Sequence, residues 1–172
     1  MRNVWRNVLG AVFVLVLALA VVIRPSAHQG FTAQVGQSVG NIAVVSASGQ
    51  SVALARLLDH HAALINFWAT WCPACRMELP NLTAAVTPAS RLLLVSQGSA
   101  GSTSAFLGRY HIPSRLSWYD PDGHVFNAFF VTTLPTSYFV NRNGIIVSKI
   151  VGPMTPALLR QNLAAAEQNQ ED

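Results

Sequence analysis

Charged side chains are scarce in this sequence: Asp, Glu, Lys and Arg make up 10% of the 172 residues, whereas 51% are hydrophobic. So little charge combined with so much apolar surface excludes an intrinsically disordered chain. The formal net charge is +4, but three of the positive charges, Arg2, Arg6 and Arg24, flank the first apolar stretch. Residues 25–172 carry eight basic and seven acidic side chains without a run of Lys or Arg, so we expect no nucleic-acid partner.

Cysteine is equally scarce, because Cys72 and Cys75 are the two in the chain. Two thiols cannot supply the four ligands of a structural zinc site, and the scattered histidines add no second paired motif. Arg76 follows the pair where a haem-attachment sequence has histidine, which excludes covalent haem binding. The length suits one domain with some residues to spare.

The first 24 residues have the pattern of a membrane segment. Residues 8–23 are uncharged and almost wholly apolar, and as a helix they would span roughly 24 Å, somewhat short of a ~30 Å hydrocarbon core. Trp5 at the interface and snorkelling of Arg6 and Arg24 would make such a short span workable. A cleaved signal peptide is the alternative, but the sequence PSA after Arg24 is a poor cleavage site because proline occupies its first position.

We therefore predict three segments: an uncleaved membrane anchor at 1–24, a tether at 25–40 and a folded domain at 41–168. The positive charges at the start of the chain should keep the N-terminus in the cytoplasm and place residues 25–172 outside it. In an oxidising compartment two nearby thiols are normally joined in a disulfide.

Hydrophobic periodicity predicts alternating strands and helices, followed by an antiparallel hairpin and a last helix. The predicted strands are 41–45, 51–54, 62–68, 91–96, 136–140 and 145–151, and the predicted helical segments are 55–60, 72–86, 103–110, 124–130 and 155–166. Residues 62–68 read AALINFW, a continuous apolar run that is typical of a strand covered on both faces. Pro80 predicts a kink in the helix that follows.

The two cysteines lie where thiol chemistry is favourable. Cys72 ends a strand-to-helix loop and begins a helix, where unpaired N–H groups and the helix dipole favour a thiolate. Pro73 suits the first helical turn, and Cys75 lies almost one turn further on. We therefore expect Cys72 to be an exposed nucleophile and Cys75 a shielded resolving thiol. A purely structural disulfide would close a very small loop, and a copper site would need His111 or His124 to join the thiols. Redox exchange is the favoured interpretation.

The stretch NFWATWCPACRMELP, residues 66–80, resembles the membrane-tethered extracytoplasmic thioredoxins of the TlpA/ResA/CcmG (DsbE) type, and the resemblance extends from about residue 36 to the end. It implies an α/β thioredoxin fold with a central mixed sheet flanked by helices, an N-terminal hairpin and a transmembrane anchor helix. It further implies a thiol–disulfide oxidoreductase of the bacterial inner membrane, single-pass, with its catalytic domain facing the periplasm.

The resemblance also implies the redox group and the partners of such an enzyme. The redox group would be a Cys72–Cys75 disulfide, with no other cofactor and no metal. The expected partners are disulfides and thiols of exported proteins, a membrane thiol electron donor of the DsbD-like type, and the membrane itself through residues 8–23.

Two polar residues refine the implied mechanism. Asn66 stands where many thioredoxins have a buried aspartate, and it cannot take up a proton. Glu78 resembles the buried glutamate of this family, whose role would be that of a general base for Cys75. The alternative is a solvated helix residue paired with Arg76 or Arg115.

The remaining site residues are implied to bind substrate. Leu134-Pro135 stands where the family has a cis-proline loop, and the backbone of Leu134 would pair with an extended substrate peptide. Trp71 would form an apolar rim. Pro73 and Ala74 lack the histidine that stabilises the thiolate of potent oxidases, which favours a reductant over an oxidant.

Departures from the family pattern bear on the substrate. The FVTTL stretch before Pro135 lacks the usual glycines, and Thr136 stands where cytochrome-maturation members often carry glutamate. The sequence therefore fits the general disulfide oxidoreductases (ScsD-like, including those linked to copper tolerance) better than a dedicated role in cytochrome c-type biogenesis. The alternatives are an oxidant of the same fold and a copper- or haem-delivery chaperone that uses Cys72 and Cys75 as ligands.

Overall fold

The computed structural model of the protein describes residues 33–168. The predicted anchor at 1–24 lies outside the described residues. The elements are β1 (Ala43–Val45), β2 (Ser51–Ala53), α1 (Leu54–Leu58), β3 (Ala62–Trp68), α2 (Pro73–Ala85), β4 (Ser90–Ser96), α3 (Ala100–Arg109), β5 (Ser117–Tyr119), α4 (His124–Ala128), β6 (Thr136–Val140), β7 (Ile146–Val151) and α5 (Pro156–Gln168), with a 3₁₀ turn at Ser114–Leu116. Among the helices described, none combines the length and apolar character that crossing a bilayer requires.

One mixed sheet organises the domain, with the strand order β2-β1-β5-β4-β3-β6-β7. The pairs β3–β4 and β4–β5 are parallel, whereas β1–β2, β1–β5, β3–β6 and β6–β7 are antiparallel. Every residue of β3 is buried, which confirms the prediction of a strand covered on both faces. The mixed sheet, the N-terminal β1–β2 hairpin and the flanking helices likewise confirm the predicted thioredoxin fold.

Alternation along β3 divides the core between the two faces of the sheet. Leu64 and Trp68 belong to a cluster that includes side chains of α2, α3 and α5. Ile65 and Phe67 belong to a second cluster, which includes side chains of α1 and α4. Cys72 and Cys75 are members of the first cluster, so the core on that face of the sheet supports the cysteine pair.

Part of the predicted tether is bound to the domain. Gly36 N–H donates to the carbonyl of Ile146 (2.8 Å), and Val39 N–H donates to that of Gly144 (2.9 Å). Val39 is also fully buried. Residues 33–40 therefore pack against the start of β7. Their polar composition suggested a tether, but most of these contacts are made by the backbone, which composition does not report.

Candidate active site

A short loop joins β3 to α2 and places Cys72 at the N-terminus of the helix. Cys72 is the N-cap residue, with extended backbone angles (φ −84°, ψ 108°), and Pro73 occupies the first turn. The backbone N–H of Cys72 donates to the carbonyl of Ala69 (3.1 Å), which closes the loop. The N–H of Cys75 donates to Cys72 Sγ (3.2 Å), so the sulfur takes the place of a capping oxygen. This position stabilises negative charge on Cys72 Sγ.

Cys72 and Cys75 form a disulfide, with their Cα atoms 5.3 Å apart. About 5% of the surface of Cys72 is exposed to solvent, and about 1% of the surface of Cys75. The prediction of an exposed Cys72 is therefore wrong for this disulfide form, because the pair packs into the cluster shared by α2, α3 and α5. Cys72 is nevertheless the more accessible of the two, in the predicted order.

Glu78 lies on the same helix and is buried, with about 3% of its surface exposed. Its Oε1 accepts a hydrogen bond from the N–H of Met154 (2.8 Å), whereas Oε2 is buried without a hydrogen-bond partner in the described range. Loss of solvation on burial raises the pKa of Glu78, and the hydrogen bond from Met154 lowers it to a smaller extent. The alternative of a solvated Glu78 paired with Arg76 or Arg115 is therefore wrong, because Glu78 is buried and forms no ion pair within residues 33–168.

Asn66 is buried in the middle of β3, where its register partners are Leu94 and Ser137. Its side-chain Nδ2 donates to Ser137 Oγ (2.9 Å). The Asn66 amide thus provides a hydrogen-bond donor to the Ser137 hydroxyl on β6, but it cannot accept a proton as a carboxylate would. Glu78 is thus the buried carboxylate on the helix that carries the cysteines.

The loop before β6 contacts the same core cluster as the cysteines. The Leu134–Pro135 peptide bond is cis, which confirms the prediction. Pro135 is buried, and its carbonyl accepts from the N–H of Gly152 (2.9 Å). Leu134 is half-buried and packs against the clusters on both sides of the sheet, including the one that contains Cys72.

The residues around the disulfide divide into exposed and buried ones. Trp71 is 72% exposed and Pro73 is also exposed, whereas Ala74 is half-buried against the core. Trp68 is fully buried, as predicted. Among the described residues, no group of three or more His, Cys, Asp and Glu side chains could hold a metal ion.

An open cleft of about 630 Å³ lies beside Trp71. It is lined by residues of the β3–α2 loop, of α2 and of the end of α3, namely Thr70, Trp71, Arg76, Phe106, Arg109 and Tyr110. Neither this grouping nor the pairing of Met154 with Glu78 was predicted from the sequence. No local signal could have found either, because the residues come together only through packing of separate elements.

Comparison with known proteins places these features in context. A family model described as the AhpC/TSA family matches residues 35–149. The thiol:disulfide interchange protein DsbE of Pseudomonas aeruginosa is 34% identical over 103 residues, which cover 59% of this chain and 57% of that protein. The thiol-disulfide oxidoreductase ResA of Bacillus cereus is 24% identical over 152 residues, which cover 83% of this chain and 87% of that protein.

The fold agrees with solved structures. The structure of dsbF from Mycobacterium tuberculosis, in its mixed oxidised and reduced forms, has a TM-score of 0.68 with 23% sequence identity, over 77% of this chain and 99% of that chain. At this sequence identity, the likeness shows a shared fold and nothing more. The match to the DsbE relatives spans less than two thirds of their length: 57% of the Pseudomonas aeruginosa protein and 60% of the DsbE protein of Pseudomonas fluorescens.

Proposed function

The chain belongs to the AhpC/TSA family, and from that premise we propose that it is a thiol–disulfide oxidoreductase that acts through Cys72 and Cys75. One observation carries the proposal: the two cysteines are joined at the N-terminus of α2, on a helix that also carries a buried, partly unpaired Glu78. The names of the DsbE and ResA relatives support it.

In the reducing direction, the reaction begins with Cys72 as a thiolate. Cys72 Sγ attacks one sulfur of a substrate disulfide, so that a Cys72–substrate disulfide forms and the substrate S–S bond breaks. The displaced substrate sulfur leaves as a thiolate and takes a proton from solvent. The helix N-terminus favours the attacking thiolate, because the backbone N–H of Cys75 donates to Cys72 Sγ and the helix dipole is positive at this end.

The second step needs a thiolate at Cys75, which the apolar surroundings of that residue disfavour. Glu78 takes the Cys75 proton, because Asn66 cannot accept one and the raised pKa of Glu78 makes it a stronger base than an ordinary carboxylate. Cys75 Sγ then attacks Cys72 Sγ, and the second substrate sulfur leaves as a thiolate. Two electrons pass to the substrate, and the enzyme is left with the Cys72–Cys75 disulfide.

Substrate binding is proposed at the surface beside Cys72, where Trp71 is exposed. The backbone of Leu134 pairs with an extended segment of the substrate, in the strand-addition mode. Trp71, Pro73 and Ala74 contact the substrate beside the reactive sulfur. The exposure of Trp71 and the position of the Leu134–Pro135 loop against the cysteine-bearing cluster support this assignment.

We further propose that the enzyme is a reductant of exported proteins, anchored by residues 8–23 in the bacterial inner membrane with its catalytic domain in the periplasm. A membrane dithiol donor of the DsbD-like type would return the Cys72–Cys75 disulfide to thiols and so close the cycle. The absence of histidine from the Pro73-Ala74 dipeptide supports the reducing direction, and Arg2 and Arg6 support the orientation.

The test of direction is the redox state of the cysteine pair in intact cells. Cells that produce the full chain are quenched in acid, and free thiols are labelled with an alkylating mass tag. A reductant carries two tags in growing cells and none after treatment of the cells with an oxidant. An untagged pair in growing cells would instead identify an oxidant. Cys72→Ser, which leaves one thiol, calibrates the mass shift.

A companion measurement tests the activity itself. The purified full chain in detergent should catalyse reduction of insulin by dithiothreitol, and Cys72→Ser should not. A chain that binds Cu(I) tightly and stoichiometrically but does not accelerate insulin reduction would contradict the proposal and favour the copper chaperone.

A further inference from the structure

We propose that the cleft lined by Thr70, Trp71, Arg76, Phe106, Arg109 and Tyr110, here called the arginine cleft, binds a carboxylate of the substrate. The enzyme would then prefer protein disulfides in which Asp or Glu lies close to the reactive cysteine. This inference rests on the exchange activity proposed above and adds a substrate class to it.

The arginine cleft is lined in part by residues close to Cys72 in the chain. Trp71, which lines it, immediately precedes Cys72 in the chain. Arg76 lies four residues after Cys72, and its backbone N–H donates to the Cys72 carbonyl (3.1 Å). Residues separated by one helical turn are neighbours on one side of a helix. A substrate cysteine joined to Cys72 therefore brings the residues next to it toward these side chains.

Two guanidinium groups converge on one aromatic ring in the cleft. The Arg76 Cζ atom lies 5.4 Å from the Phe106 ring centroid, and the Arg109 Cζ atom lies 5.6 Å from it. The Phe106 ring also packs, in tilted geometry, against Tyr110 (4.8 Å between centroids) and the buried Trp68 (5.7 Å). The aromatic packing therefore gives both cations a shared and well-supported surface.

The positive charge of the cleft is not neutralised by the described residues. Within residues 33–168, the ion pair present joins Arg91 to Asp59 (3.9 Å), and neither Arg76 nor Arg109 has a carboxylate partner. Arg76 also lies in the first turn of α2, and the N-terminal end of a helix carries partial positive charge. The missing counter-charge is therefore one that a ligand can supply.

A peptide carboxylate fits this surface better than a neutral or basic group. Guanidinium groups bind carboxylates through paired N–H donors, and Arg76 and Arg109 are both exposed. Trp71, with 72% of its surface exposed, provides an apolar contact for the rest of a peptide. Exposed ion pairs are weak and are screened by salt, so the expected effect is a modest preference that declines as ionic strength rises.

The experiment uses the reduced full chain in detergent and three families of short peptides. Each peptide carries one cysteine, capped as a mixed disulfide with a chromophoric thiol whose release is measured. One neighbouring residue is Glu, Gln or Lys, and it is moved through the two positions on either side of the cysteine. We expect the second-order rate constant for thiol release by the reduced enzyme to decrease in the order Glu, Gln, Lys, with a Glu-to-Gln ratio of roughly two to five at low salt.

Substitutions in the cleft should change the ratio between peptides. Arg109→Gln and Arg76→Gln should each move the Glu-to-Gln ratio toward one, and Arg109→Glu should reverse the order in favour of Lys. Because the ratio compares peptides on one enzyme, a change in thiol reactivity does not affect it. Arg160→Gln is the matched control, since Arg160 is exposed on α5 and does not line the cleft.

The outcomes separate this inference from the proposed function. A chain that attacks none of the peptides contradicts the exchange activity itself. Equal rates on all three peptide families leave the exchange activity standing and overturn the carboxylate preference. A Glu preference that persists in the double variant Arg76→Gln/Arg109→Gln would also overturn the inference, because another part of the protein would then recognise the carboxylate.

Discussion

The backbone N–H of Met154 donates a hydrogen bond to Oε1 of Glu78, although the two residues are 76 positions apart in the sequence. This contact ties the helix that carries the cysteines to the segment between β7 and α5. It satisfies one carboxylate oxygen and leaves the other, Oε2, buried without a partner in the described range. The charged form of Glu78 is consequently only partly compensated, and burial raises its pKa.

Glu78→Gln should slow the resolving step, because glutamine keeps the shape and the acceptor for Met154 but cannot take the Cys75 proton. A general base is typically worth ~10²–10⁴ in rate. The measurement is the rate of disulfide reduction across roughly pH 5 to 9, where a catalytic base with a raised pKa shapes the profile. Glu167→Gln, a partly exposed glutamate on α5, is the control. Superimposable profiles for wild type and Glu78→Gln would contradict the base role.

The same substitution should alter how stability depends on pH. Because the pKa of Glu78 is raised in the folded state, its protonation favours folding. That contribution is complete below the ordinary carboxyl pKa of 4.5 and is lost as the pH rises through the folded pKa. Urea unfolding of the oxidised proteins should therefore show wild type losing free energy of unfolding relative to Glu78→Gln as the pH rises. A difference that is constant with pH would mean that Glu78 titrates normally.

Cys75→Ser should trap a mixed disulfide between Cys72 and the substrate, because the attacking sulfur remains and the resolving sulfur is gone. Cys72→Ser should trap nothing and should abolish turnover. Mass spectrometry of the non-reduced protein after mixing with a model protein disulfide identifies the linked cysteine. An adduct on Cys75 in the Cys72→Ser protein would reverse the assignment of the two thiols.

Phe67→Ala should destabilise the domain by about 3–5 kcal/mol, because it removes a fully buried ring and leaves a cavity. The Phe67 ring lies 5.0 Å from those of Phe126 and Phe129 and 5.9 Å from that of Tyr138. The control is Phe130→Ala, because Phe130 is 53% exposed and should change the free energy of unfolding by about 0.5 kcal/mol or less. Chemical denaturation of both variants at one pH makes the comparison, and equal losses would argue against Phe67 as a core anchor.

The orientation of the chain can be tested with a fusion. Alkaline phosphatase joined after Asp172 should be active, because the enzyme folds correctly outside the cytoplasm and Arg2 and Arg6 should hold the N-terminus inside. A reporter that functions only in the cytoplasm, fused at the same point, should be inactive. The reverse pattern would contradict the proposed topology.

Much of the sheet followed from patterns along the chain. β3 has the predicted bounds, 62–68, because a continuous apolar run must be covered on both faces. β5, in contrast, was not predicted. It has three residues and includes the polar Ser117, and its place between β1 and β4 depends on partners far along the chain. Short strands of this kind are specified by their neighbours more than by their own composition.

The site divides in the same way. The cysteine spacing, the N-terminus of α2 and the cis-proline were accessible from sequence and resemblance, because each is a local feature. The burial of Cys72 could not be predicted in this way, and neither could the placement of Arg76 and Arg109 on the same Phe106 ring. Both depend on how α3 packs against α2 through Phe106, and no spacing within a single element reports such a contact.

The wide sequence separation between Glu78 and its hydrogen-bond donor Met154 also affects the order of events during biosynthesis. A ribosome makes the chain from its N-terminus, so Cys72, Cys75 and Glu78 leave the exit tunnel together, well before Met154. Until then, Glu78 lacks the backbone donor that fixes it and the segment that helps to bury it. The two sulfurs can therefore meet early, whereas Glu78, the proposed proton acceptor, gains its hydrogen bond from Met154 only later. A chain truncated before β7 would then keep the cysteine motif but lose the setting that raises the pKa of Glu78.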